Sequence, residues 1–305
     1  MPEPYLAAAP YFGWDLLRVV QELFRYGFMQ HAFEAGTVVA LSAGVIGYFV
    51  VLRSLSFAAH ALSHIGFAGA TGAVLVGVAP IVGLLAFTMS AGAVMGTLGQ
   101  RLRGRDVTIG LVMAWSLGLG LLFTRLYKGS ANLAIGILFG QIFGITTQDV
   151  AVTFVAGAVT VLLVLAVYRP LLFATLDEEV AEAKGVPVRA LSIAFMVVLA
   201  IAVSEAVQVV GVLLIFALIV APAAIAERFT TRPSRGVLLS AVLAVLFTWA
   251  GLTVAYYLPY PVGFFITTIA FGSYVLARWA APALTRPRAR GSEPLAREEQ
   301  VRHSP

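Results

Sequence analysis

Apolar runs of about 20 residues, the length at which a helix crosses a bilayer, recur from residue 33 to residue 280. A chain patterned in this way has little choice of fold. Lipid offers no partner for backbone amides and carbonyls, so each crossing has to satisfy them within itself, as a helix does. The expected fold is therefore all-α, a polytopic membrane protein of eight or nine transmembrane helices. Residues 31–281 would form a single transmembrane domain, flanked by an N-terminal amphipathic segment (1–30) and a disordered charged cytoplasmic tail (282–305). Of the 305 residues 60% are hydrophobic and only 11% charged, and the mean hydropathy of +0.93 lies far above that of soluble domains.

The net charge of +5 does not point to nucleic acid, and no nucleic-acid partner is expected. The Lys and Arg residues sit in short loops and in the C-terminal tail, as in a membrane protein oriented by its cytoplasmic positive charge. There is no cysteine, so any metal would be held by His, carboxylate or other oxygen ligands. The N-terminus lacks a basic stretch followed by a short apolar core, so a cleaved signal peptide is not expected.

Between Trp14 and Phe28, Asp15, Arg18, Glu22 and Arg25 recur at three and four residues with Leu16, Leu17, Val20, Leu23 and Phe24 among them, the pattern of a helix lying in the interface. The first crossing is expected from Phe33 to Val51, the second from the neighbourhood of His60 to Val78, and the third from Pro80 to Leu98. The basic loop Arg101 to Arg105 is read as cytoplasmic, and Asp106 as the N-cap of a fourth crossing ending near Phe123. Asn132 to Ile145 is apolar but too short to cross, and a crossing there would turn the later basic loops outward. It is read as a re-entrant or outer-surface segment packed within protein. Five more crossings, at about 150–168, 189–207, 209–226, 237–257 and 261–279, give nine in all, with the N-terminus outside. Dropping one marginal crossing gives eight.

His60-Ala61-Leu62-Ser63-His64 is the most constraining polar pattern. On a helix the two imidazoles fall on one face, roughly 6 Å apart. Ionisable groups within a crossing are expensive and hence functional candidates. Gly66, Ala68, Gly69, Ala70, Gly72 and Ala73 follow, and small residues allow close helix packing in lipid, so this helix should be buried in the bundle. Leu176 to Gly185 reads as a short helix stopped by Gly185 and Pro187; it is either a solvated loop helix or a docking helix for a cytoplasmic partner. Glu205 and Gln208, one turn apart near the outer end of a crossing, form a candidate outer gate. His31 is expected at the surface, and Pro222 should kink or break its helix. The chain contains no Gly-x-x-x-x-Gly-Lys-Ser/Thr stretch to bind ATP, and no Glu follows His60 as it would in a His-Glu-x-x-His metalloprotease.

With these residues in view, the chain resembles the permease subunits of ABC transporters for zinc, manganese and iron(II), the ABC-3 type, over roughly Phe33 to Ala280. The resemblance is carried by Gly44 through the His60–His64 pair to Gly69, by Leu138-Phe139-Gly140, and by Val210-Gly211-Val212-Leu213-Leu214 through Ala217-Leu218 to Pro222-Ala223-Ala224. It implies a metal translocation site in the second crossing, where the family usually has an Asp with a His four residues later. The Asp position falls on His60, a departure, and the His on His64. A pair of imidazoles suits a borderline ion such as Zn²⁺ better than a carboxylate-containing set does, so zinc is expected first and manganese second. No permanently bound cofactor is implied. The resemblance also implies a homodimer in a bacterial inner membrane, a cytoplasmic ABC ATPase and an extracellular metal-binding protein that delivers the ion. Leu176, Asp177, Glu179, Ala183 and Gly185 would belong to the helix that couples to the ATPase. The chain would itself be no enzyme. An ion-coupled secondary carrier or channel for metal ions is the alternative that the residues alone leave open.

Overall fold

A computed structural model describes residues 21–97, 105–127 and 132–284. Twelve α-helices and one 3-10 turn account for nearly all of them, and there is no strand among the described residues. In chain order the helices are α1 (Gly27–Leu52), α2 (Ser56–Leu75), α3 (Pro80–Thr97), α4 (Arg105–Leu126), α5 (Asn132–Phe139), α6 (Thr147–Ala166), α7 (Tyr168–Leu176), α8 (Glu178–Ala183), α9 (Val188–Val210), α10 (Val212–Phe229), α11 (Pro233–Tyr257) and α12 (Val262–Leu284). Eight of these are long and apolar enough to cross a membrane: α1, α3, α4, α6, α9, α10, α11 and α12. The ninth long helix is α2, whose 20 residues carry both histidines and a run of glycine and alanine. It is shielded by protein along most of its length, from Ala58 to Ala73.

Several boundaries differ from those expected. The first crossing begins at Gly27 rather than Phe33, so it runs through residue 30 without a break. Residues 21–23 form a helical turn, and a turn at 24–26 separates it from α1. The expected amphipathic helix is therefore interrupted before Phe28, and its earlier part lies outside the described residues. The charged tail beyond α12 and the basic loop 101–104 also lie outside them. Asp106 stands in the first turn of α4 rather than before it, where a negative charge still complements the helix dipole. α10 continues unbroken through Pro222. A membrane helix tolerates that loss of one amide because its neighbours hold it in place, and Pro222 is buried among them.

The bundle is organised around α9, which packs against α1, α2, α3, α6 and α10. Its outer half, from Val198 to Val210, is buried on nearly every side. Close approach at α2 depends on small residues. Gly69 and Gly83 face each other across the α2–α3 contact, and a Cβ on either would run into the other's carbonyl oxygen. Hydroxyls add to this packing: Thr88 Oγ1 lies 2.6 Å from Ser204 Oγ, joining α3 to α9, and Ser240 donates to the Gly44 carbonyl at 2.7 Å, joining α11 to α1.

The short segment after α4 does not cross. α5 has eight residues, about 12 Å of helix, and ends at Gly140, whose φ of 78° reverses the chain into the 3-10 turn Ile142–Gly144. Gly140 lies against the backbone of Val210 and Gly211, at the junction where α9 gives way to α10 with Gly211 at φ 85°. Side chains at either glycine would separate the two segments, and both backbone angles favour glycine.

Candidate functional site: the histidine pair of α2

The site is built on the turn between α1 and α2. Ser54 adopts φ 54°, and the chain re-enters the bundle after only three residues. Arg53 anchors this end. It is 7% exposed, donates to Ser192 Oγ at 3.3 Å, and lies 5.3 Å over the ring of Phe195, so the end of α1 is pinned to the first turns of α9. Two turns into α2, His60 and His64 present their rings on one face, edge to face with centroids 4.7 Å apart. Phe216 of α10 closes on His60 at 4.9 Å. Both histidines are half-buried, and both Nδ1 atoms are buried with no hydrogen-bond partner among the described residues.

This arrangement can bind a soft or borderline cation weakly. Two imidazole nitrogens supply half of a tetrahedral ligand set. Among the described residues no group of three or more His, Cys, Asp or Glu side chains is placed to hold a metal. The orienting partner that usually fixes a metal-bound imidazole is also missing, which leaves the rings adjustable.

The remaining candidates are dispersed. Glu205 is 3% exposed, and neither carboxylate oxygen has a hydrogen-bond partner among the described residues. Gln208, one turn outward, instead donates to Asp149 Oδ1 at 3.4 Å. The two are thus neighbours in sequence but sit in different surroundings. Gln208 and Asp149 line a pocket of about 480 Å³ at the outer end, together with Pro80 of α3, Gly136 and Gln141 around α5, and Gln148 of α6. Asp149 was not among the candidates drawn from the sequence. Its place at the head of α6 was legible, however, because Thr146 and Asp149 form a capping box. His31 ties α1 to the start of α6, through Nδ1 to the Ile145 carbonyl at 3.3 Å and Nε2 to Thr147 Oγ1 at 3.4 Å.

The stretch expected to be one helix from Leu176 is two. Leu176 ends α7, and Asp177, in an extended conformation, caps α8 by accepting from the Val180 amide at 3.0 Å. Ala181 is fully buried, while Leu176, Glu179, Val180, Ala183 and Gly185 face outward. Gly185 closes the turn at φ 86°. Phe216 is a site residue that sequence reading missed, since nothing in the local pattern brings α10 to α2.

A bundle of apolar crossings that shields a helix bearing two histidines, with a short helical hairpin at one end, defines a multi-pass membrane transport subunit. The profile of the ABC 3 transport family matches residues 25–281, and the chain belongs to that family. With its apolar crossings, that membership places it in a bacterial inner membrane. It is 28% identical over 262 residues to a manganese transport system membrane protein, MntC, of Halalkalibacterium halodurans, covering 86% of this chain and 90% of that one. It is 30% identical to MntC of Listeria innocua, covering 78% of this chain and 85% of that one. Among solved structures it matches PsaBC from Streptococcus pneumoniae, determined in complex with Fab, at a TM-score of 0.79 and 28% identity, over 88% of this chain and 96% of that one.

Proposed function

We propose that this chain is the permease subunit of an ATP-driven importer of a divalent transition metal, with manganese ahead of zinc. The observation that carries the reading is the His60–His64 pair, two imidazoles a few ångströms apart on a long helix that the bundle shields along most of its length. Ionisable groups there are costly, and weak, incomplete ligation is what a transit site needs if the ion is to leave again. Donor chemistry alone favours zinc. The relatives named for manganese transport favour the opposite order, because metal availability and delivery can override intrinsic affinity.

The rest of the assembly belongs to the same proposal. With no phosphate-binding loop in the chain, ATP hydrolysis falls to a separate ABC ATPase, docked on α8 and its flanks through Leu176, Asp177, Glu179, Ala183 and Gly185. A second copy of the permease completes the transporter as a homodimer about a twofold axis. An extracellular binding protein delivers the ion. Movement of the coupling hairpins then opens the bundle alternately to each side.

The test is uptake of radioactive manganese and zinc, side by side, into vesicles holding the permease with its ATPase. ATP-dependent uptake that falls at least about tenfold in His64→Ala supports the reading. Wild-type uptake by that variant removes the metal site, and uptake that persists without ATP makes the chain a secondary carrier.

A further inference from the structure

Among the described residues Glu205 is the only buried acidic side chain, and the histidine site does not use it. It sits within α9, away from either helix end, so it caps nothing. Its carboxylate packs against Gly157 of α6, where a Cβ would stand 3.0 Å from Oε1. Gly157 belongs to the buried stripe of α6 formed by Thr153, Gly157, Thr160 and Val164, spaced as one helix face. The hydroxyl of Thr160, one turn inward from Gly157, is likewise buried with no hydrogen-bond partner among the described residues. Two buried polar groups without partners among the described residues thus lie along one seam of α6, which packs against both α9 and α1. As an anion this carboxyl group is strongly unfavourable where it stands, and an arriving cation would supply the partner it lacks.

Its depth identifies the visitor. Gln208, one turn further out on α9, lines the outer pocket with Asp149. Ser204, adjacent to Glu205, bonds Thr88, and Thr88 is the side chain that a Cβ on Gly66 of α2 would meet at 3.0 Å. Glu205 is therefore level with Gly66, outward of His64 and inward of the pocket. The groups along this seam are a carboxylate, a hydroxyl and, above them, a carboxamide paired with a second carboxylate. These oxygen donors suit a hard divalent ion better than a borderline one. With no third His, Cys, Asp or Glu close by among the described residues, an ion there keeps part of its water and moves on.

We propose that Glu205 is a transit ligand for the imported divalent cation, lying between the outer pocket and the His60–His64 pair, and that its oxygen surroundings favour Mn²⁺ over Zn²⁺ at entry. The proposal rests on the transport reading above. It divides labour along the path: oxygen ligands select at the outer side, and imidazoles hold the ion deeper.

The experiment compares manganese and zinc uptake by the permease–ATPase complex in vesicles, for wild type and Glu205→Gln, which keeps the shape and removes the charge. The expected result is an about tenfold loss of manganese uptake with zinc changed by less than about twofold. Glu205→Asp should keep the wild-type preference. Unchanged manganese uptake in Glu205→Gln overturns the proposal, and so does an equal fall for both metals, which marks a packing role. Should Glu205→Gln not assemble with the ATPase, Thr160→Val decides. It removes only the hydroxyl and should shift the same ratio about threefold, and no shift overturns the proposal. Failure of the transport reading looks different, because wild type would then import neither metal or would import them without ATP.

Discussion

His60 stands edge-on to His64 one turn away along α2, with ring centroids 4.7 Å apart, and Phe216 of α10 packs on His60 from the neighbouring helix at 4.9 Å. The two imidazoles therefore differ. His60 is braced between a second ring and an aromatic wall from another helix, whereas His64 lies further along α2, toward the glycines that seat it on α3. A ligand exchanged at residue 60 changes the hardness of the site and also removes the ring that meets Phe216.

Replacing His60 by Asp makes one ligand a hard carboxylate. We expect His60→Asp to raise the ratio of manganese to zinc uptake by about tenfold, mainly through weaker zinc binding. Paired uptake assays read this ratio directly. A ratio that stays at the wild-type value would mean that selection occurs elsewhere on the path.

Gly69→Ala tests the α2–α3 contact. The added methyl meets the Gly83 carbonyl, which is backbone and cannot rotate away, so the helices must part. Overpacking of this kind destabilises by about 1–3 kcal/mol. The purified permease should unfold at a clearly lower temperature and lose transport, since α2 carries the histidines. An unchanged melting temperature would show that the contact is looser than the backbone positions imply.

Thr88→Val removes the hydroxyl that meets Ser204 and should be milder. Ser204 still donates to the Ala200 carbonyl at 2.8 Å, so no buried donor is stranded. Interhelical hydrogen bonds of this sort contribute roughly 0.6 kcal/mol in membranes. Thermal unfolding should therefore rank Thr88→Val well below Gly69→Ala in severity, and the reverse order would mean that polar contacts rather than close packing hold α9 to α3.

What the sequence made readable follows from the range of each interaction. The crossings were legible because lipid imposes a local rule on every stretch of about 20 residues. The histidine pair and the glycines beyond it were legible because helical periodicity places them on one face of α2. α2 is itself the exception to the apolar rule, because neighbouring helices take the place of lipid around it. The partners of these residues were not readable. Phe216 reaches His60, Gly157 faces Glu205, and Gly140 meets Gly211 only through packing between segments distant in the chain. The break at Asp177 was missed for a different reason. Asp177 lies among good helix formers, and its capping bond to the Val180 amide outweighs the propensity that would have run one helix through it.

The hairpin of α7 and α8 gives the last prediction. Ala181 is fully buried and fastens α8 to the body, whereas Leu176 is 67% exposed and Val180 44% exposed, two apolar side chains at the surface beside a capped helix start. Apolar groups exposed on a short, rigid element act as anchors for a partner's groove. Leu176→Glu combined with Val180→Glu places two charges where that groove would have to desolvate them, and neither change touches the buried face. Co-purification of the ATPase should fall at least about tenfold, while the melting temperature of the permease alone stays near that of wild type. Ala181→Glu is the contrasting variant, which should lower the melting temperature because it forces a charge into the packed face. Full ATPase recovery with the double variant would move the docking surface away from this hairpin.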